Sequence, residues 1–163
     1  MELKKILNNL IYIIMSKKYL NSKHKNLYLK IIGFLIKSGN KGKATLIINK
    51  VFLRLSKELN LPFNKILLKL FLKLNCFVEV KKVRIRRGIH LVPFPISSKR
   101  SSYLIVKWLM QAVKEDKRNI STYEKLFTEI KQTLEKSTSK SVEIKNLNIS
   151  QALANRSNIH FRW

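Results

Sequence analysis

Acidic residues are scarce in this chain. Its 163 residues include nine acids, of which Asp116 is the only aspartate, against 34 Lys and Arg, a formal balance of +25. The eight glutamates are scattered, so paired-carboxylate chemistry and carboxylate-held metals have little to work with. Cys76 stands alone, which excludes an intrachain disulfide framework and a cysteine zinc site. The three histidines, His24, His90 and His160, lie far apart and form no metal-ligand spacing. Long apolar runs are missing too: the longest near the start, residues 10–15, is far short of the ~20 needed to span a bilayer. No catalytic residue, metal or cofactor is expected.

What remains is substantial. Hydrophobic residues make up 45% of the chain, too many for a charged disordered tail. The length suits one domain with a core of its own. A folded core under a strongly cationic surface repels itself unless a polyanion neutralises it. The partner implied is nucleic acid or an anionic membrane. Lys, Asn and Ile are all abundant, the composition an AT-rich genome produces by drift, so the arginines are the more informative cations; three fall together at Arg84, Arg86 and Arg87.

Along the chain, residues 1–25 read as a basic N-terminal extension. They suit a short amphipathic helix or a loose segment better than an import signal, since they have no Arg, are not rich in Ser and carry Glu2. Residues 26–163 read as a single domain. Leu27, Ile31, Ile32 and Leu35 recur at helical spacing. The turn residues Ser38-Gly39-Asn40-Lys41-Gly42 follow, then a helix over about 43–59 striped by Ile47, Ile48, Val51, Leu55 and Leu59. Pro62 breaks it and is placed as the first residue of a helix over 62–74.

At Asn75 the character changes. Residues 77–85 are β-branched and extended, Arg86-Arg87-Gly88 turns, and residues 89–96 return, giving a two-stranded arm over about 77–97. Pro93 and Pro95 leave the return strand at least one free edge. An isolated hairpin is marginal in water, so the arm is expected to become ordered against a phosphate backbone. Ser97 or Ser98 caps a helix striped by Leu104, Trp108, Leu109 and Ala112. Ser121 to Glu124 forms a capping box for a helix with Tyr123, Leu126, Phe127, Ile130 and Leu134 in register. A last helix covers about 142–154.

The loop around Gly39 and Gly42 is not a nucleotide-binding loop: the glycine spacing is short, Ala44 replaces the metal-binding hydroxyl, and a helix precedes it. Lys41 and Lys43 on that turn suit phosphate contacts instead. The strongest signal is the arm, with five cations in seven residues: Lys81, Lys82, Arg84, Arg86 and Arg87. Alternating on a twisted ribbon, they can meet phosphates on both faces, as proteins that read RNA by shape do. Trp108 and Phe127 read as core. The ending His160-Phe161-Arg162-Trp163 suits stacking on bases or on a neighbouring protein, or else tucks back onto the chain's own helices.

These residues resemble a known family. Val78-Glu79-Val80, the basic stretch to Arg87, Val92-Pro93, Arg100, Lys107-Trp108 and Ala112, and the endings Ala154-Asn155-Arg156 and His160 to Trp163 are similar to the bacterial-type small-subunit ribosomal protein seven. From Val78 to Trp108 the spacing holds without a gap. The resemblance implies a mainly α fold, a bundle of about six helices with a protruding two-stranded β-hairpin arm. It implies a binder of small-subunit ribosomal RNA, in the 3′ major domain of the head. It also implies neighbouring head proteins, and a hairpin near the exit-site transfer RNA and the messenger path. The RNA-contacting set is then Lys41, Lys43, Lys81, Lys82, Arg84, Arg86, Arg87, His90, Lys99, Arg100, Arg156, His160, Arg162 and Trp163. The family's paired glycines at the hairpin tip fall at Arg86 and Arg87 here, and Pro95 and Ser97-Ser98 replace charged positions. This divergence points to an organellar member, in the mitochondrial matrix rather than a plastid or bacterial cytoplasm. The alternative reading is a basic amphipathic protein of a membrane surface; densest charge on a hairpin rather than opposite an apolar helix face argues against it, and no membrane partner is expected.

Overall fold

The computed structural model describes residues 22–135 and 139–162. The N-terminal extension expected up to residue 25 lies mostly outside them, and Trp163 does too. Helix α1 (Ser22–Leu35) buries Leu27, Tyr28, Ile31 and Ile32, one helical face. Its exit turn places Ser38 and Gly39 at φ 49° and 73°, a left-handed pair that glycine at the second position eases. Asn40 then caps α2 (Lys41–Leu59), its side chain accepting from Lys43 N at 3.5 Å. The helix thus starts two residues before the expected boundary.

Asn60 ends α2 in the left-handed region, as asparagine tolerates. Pro62 sits just outside α3 (Phe63–Leu74), not in its first turn, because its ψ of 148° is extended. The hairpin strands are β1 (Val78–Ile85) and β2 (Gly88–Pro95). Three further helices follow: α4 (Ser98–Glu115), α5 (Thr122–Glu135) and α6 (Lys140–Ala154). Ser97 is the cap of α4, accepting from Arg100 N at 3.4 Å, and Ser121 Oγ accepts from Glu124 N at 3.3 Å ahead of α5. A 3-10 helix, Arg156–Phe161, closes the described chain. Among the described residues the fold is therefore six α-helices and one hairpin, the mainly α architecture expected.

Helices α1 to α5 enclose the main core. Leu27, Ile31, Ile48, Leu55, Ile66, Leu67, Leu70, Leu109, Leu126 and Ile130 are fully buried in it. Phe63 meets Tyr28 and Phe52 edge-on, at 5.7 and 4.9 Å between centroids. A smaller cluster of Cys76, Leu104 and Trp108 packs with Ile144. It joins α4 and α6 to the chain entering the hairpin, and it confirms Trp108 as a core residue. A buried polar knot seats α6. Glu129 Oε1 accepts from Ser141 N at 2.9 Å and Ser141 Oγ at 2.8 Å. Thr133 Oγ1 donates to Glu129 O at 2.7 Å and lies 3.0 Å from both Ser139 Oγ and Ser141 Oγ. A carboxylate facing the N-terminal amides of α6 suits the helix dipole.

The hairpin pairs Val78 with Pro95 through to Ile85 with Gly88. Ile96 N donates to Phe77 O at 3.0 Å just below it. That bond fixes the alternation: residues 79, 81, 83 and 85 turn their backbone groups toward β2, while 78, 80, 82 and 84 turn theirs outward. Pro93 and Pro95 pair with Val80 and Val78, so both prolines sit where an N–H would point away from β1, and the ladder loses no bond.

Leu67 and Leu68 adjoin in sequence but point oppositely, at 0% and 40% exposure. Leu67→Ala is expected to lower unfolding free energy by about 2–5 kcal/mol. Leu68→Ala should cost less than about 1 kcal/mol, within the usual range for surface sites. Urea denaturation of the two variants checks the contrast.

Candidate nucleic-acid interface

The interface is built on the hairpin. Lys81, Lys82, Arg84, Arg86 and Arg87 are all exposed. The register puts Lys81 on the face with Val83, His90, Val92 and Phe94, and Lys82 with Arg84 on the face of Ile89 and Leu91. Cations therefore line both faces, as the alternation implied. Lys81 Nζ lies 5.3 Å from the centroid of the Phe94 ring. The other four make no ion pair among the described residues. Arg86 and Arg87 form the two-residue loop, and Arg86 holds a φ of 51°. A non-glycine residue there costs roughly 1–2 kcal/mol. The tip closes with Ile85 opposite Gly88, and Arg86 carries the strain.

The other expected contacts divide into three groups. Lys41 and Lys43 are exposed on the first turn of α2, which contains no acid. Two cations at a helix N-terminus oppose the dipole, and an incoming phosphate would reverse that penalty. They lie on the α1–α2 turn, with no hydrogen bond or ion pair to the hairpin. Lys99 and Arg100 are exposed on the first turn of α4, again free of acid. Lys30 of α1 donates to Lys99 O at 2.6 Å, and burial and the Lys99 charge lower its pKa. Arg100 is already engaged: it grips Glu79 of β1 bidentately at 2.9 and 2.6 Å, and lies 4.9 Å from the Tyr103 ring centroid. That hydrogen-bonded guanidinium holds the Glu79 carboxyl below the usual range.

The third group is the tail, expected to stack on bases or on a neighbouring protein, or else to tuck back onto the helices. The 3-10 helix lies along β2. Asn158 Nδ2 donates to Leu91 O at 3.0 Å, and Arg162 Nε donates to Pro93 O. Phe161 meets the His90 ring at 5.1 Å and the His160 ring at 3.8 Å. The tail packs on the hairpin, not on the helices, and covers the edge that the prolines leave without donors. A backbone edge with more acceptors than N–H groups suits donor side chains, which Asn158 and Arg162 supply. Arg156 and His160 remain exposed, and His160 Nδ1 lies 2.7 Å from Ser157 O.

Sequence reasoning missed Asn148. Its Nδ2 donates to Val78 O at 2.8 Å and its Oδ1 accepts from Val80 N at 3.5 Å, on the outer edge of β1. The arm is therefore braced at its base on both edges and free toward its tip. Among the described residues no group of three or more His, Cys, Asp or Glu could hold a metal ion.

Residues 5–156 match the family described as ribosomal protein S7p/S5e. The chain belongs to this ribosomal protein family. Membership in S7p/S5e makes it a structural protein of the ribosome rather than an enzyme. It is 32% identical over 149 residues to small ribosomal subunit protein uS7m of Marchantia polymorpha, covering 88% of this chain. It spans 63% of the length of that relative. Against uS7m of Drosophila melanogaster it is 31% identical over 151 residues, 82% of this chain and 67% of the other. With uS7A of Aquifex aeolicus it shares 30% over 137 residues, 82% of this chain and 85% of the other.

The Glu79–Arg100 pair yields a prediction. In NMR titration, the Glu79 carboxyl should titrate below the usual glutamate value of about 4.3. A depressed folded pKa means that the pair stabilises above that usual value and is lost as pH falls through the folded one. Arg100→Ala should move the titration back up. An unchanged midpoint in Arg100→Ala would show that the guanidinium is not the cause.

Proposed function

We propose that this S7-type chain is a structural component of a mitochondrial small ribosomal subunit, binding its ribosomal RNA in the 3′ major domain that forms the head. The observation that carries this is the basic hairpin: five exposed cations within seven residues, four without an acidic partner among the described residues. Exposed charge at that density, facing no carboxylate, matches a phosphate backbone. The acid-free first turns of α2 and α4 add Lys41, Lys43 and Lys99 as positioning contacts. Arg156 and His160 extend the surface beside the hairpin base, and Trp163 is kept as a further RNA contact on its chemistry alone. Arg100 and Arg162 are engaged by Glu79 and Pro93 O, and an RNA phosphate competes with those partners for them.

The relatives named uS7m, in Marchantia, Drosophila and Reclinomonas americana, support a mitochondrial setting. Bacterial proteins named uS7 match as well. Partners are the small-subunit ribosomal RNA and neighbouring head proteins. The free half of the hairpin is the part that would reach the exit-site transfer RNA and the messenger path. No helix of the described residues is long and apolar enough to cross a membrane.

Sedimentation tests the assignment most directly: the protein should travel with the small subunit in a lysate gradient, and a free or membrane-bound pool alone would overturn it. For the purified protein, log affinity for a 3′ major domain transcript should fall linearly with log salt. With about 6–10 phosphate contacts the loss between 50 and 200 mM is about 10³–10⁵-fold. A flat response would remove the electrostatic argument. Replacing Arg84, Arg86 and Arg87 together with Ala should leave the helical core folded and weaken the complex. The triple Lys variant should fall between, because point charge survives while the bidentate fork is lost.

A further inference from the structure

A working hairpin has to be aimed, and this one is aimed from its edges. From Val80 to Ile85 the arm extends about 17 Å at the usual strand rise, so a tilt of ~10° at the base displaces the tip by ~3 Å. Two-stranded ribbons twist and bend readily by themselves. The direction of the tip is therefore set by whatever grips the residues around Val78, Val80, Leu91 and Pro93.

Three polar grips hold the base. Arg100 holds Glu79 by an ion pair, and Arg162 with Asn158 holds the carbonyls of Pro93 and Leu91. The third is Asn148, whose carboxamide presents a donor to Val78 O and an acceptor to Val80 N. Those two backbone groups lie two residues apart on one outward edge, where a parallel third strand would offer the N–H and C=O of one residue. The side-chain amide supplies that donor and acceptor. Asn148 is also within reach of Cys76 Sγ, at 3.6 Å, in the small cluster that joins α4 and α6.

The grips differ in how they meet a polyanion. Arg100 and Arg162 are exposed cations, and an approaching phosphate competes for both guanidinium groups. Exposed ion pairs are also weakened by salt. Asn148 and Asn158 are neutral, half-buried and bonded to backbone, so neither phosphate nor salt draws them off; of the two, Asn148 holds both a carbonyl and an amide of its strand, Asn158 a carbonyl alone.

We propose that Asn148 is the positioning residue of the RNA-facing hairpin, the brace that keeps the arm aimed once phosphates engage its arginines. This rests on the reading that the hairpin contacts RNA. Amide exchange in the unaltered protein gives a first test. Val80 N, held by Asn148, should exchange at least tenfold more slowly than Lys82 N, the next outward amide on β1. Equal rates would overturn the brace.

The second test is a double-mutant cycle on affinity for a 3′ major domain transcript. Asn148→Asp keeps the acceptor and the size but removes the donor; Asn148→Leu removes both. In the wild-type background each should weaken binding about tenfold. With Arg84, Arg86 and Arg87 already changed to Ala, each should change it less than twofold. The same loss in both backgrounds, or none in the wild-type one, would overturn the role. Full affinity of the triple Ala protein by itself would instead overturn the hairpin as the RNA surface, so the two failures are separable. Circular dichroism of each variant confirms folding, and the exchange experiment stands without any variant.

Discussion

The shortage of negative charge governs this molecule. With nine acids against 34 Lys and Arg, a carboxylate is available only at a few places, and the structure uses them at joints. Glu58 lies between Arg54 at 3.0 Å and Lys131 at 2.8 Å, tying α2 to α5. Both cations also stand over the Phe127 ring. Glu79 ties the hairpin to α4, Glu129 seats α6, and Asp116 turns back onto Arg118, which lowers its pKa to about 2. Exposed pairs of this kind contribute little individually. Their value is positional: each lies where two elements meet.

Lysines without a carboxylate turn to backbone carbonyls. Lys73 donates to Leu134 O at the end of α5, and Lys145 donates to Lys73 O at the end of α3. Lys125 reaches Asp116 O just past the end of α4; Lys30 is the exception, reaching Lys99 O in the first turn of α4. Cations near helix C-termini meet carbonyls that lack a helical partner and match the dipole. The body thus absorbs part of its positive charge internally. The hairpin has no carboxylate beyond Glu79 near its base, and its tip presents charge undiluted.

Much of this was legible in the sequence, because it is local. Apolar periodicity marked α1 to α5, and the switch to β-branched alternation at Asn75 marked the hairpin. Boundaries moved by one or two residues where a cap decided them, as Asn40 and Pro62 did. The missed features are pairings between distant, ordinary residues. Asn148 and Val78 are 70 apart in sequence, and Asn158 and Leu91 are 67 apart. A polar residue on a helix reads as solvated surface until its strand is known to lie beside it. The knot of Glu129, Thr133, Ser139 and Ser141 was hidden for the same reason. The seat of the tail was hidden in the same way: Asn158 and Arg162 meet the carbonyls of Leu91 and Pro93, far from them in sequence.

The placement of Pro93 and Pro95 has a consequence for the protein's life before assembly. A strand edge with exposed N–H and C=O groups is a template for another chain. The 3-10 helix that shields this edge is synthesised after it, so for a time the edge stands bare. With two prolines on the outward positions, the edge offers carbonyls but too few donors to register a foreign strand. The β2 edge of a newly made chain is thus a poor template for a second copy.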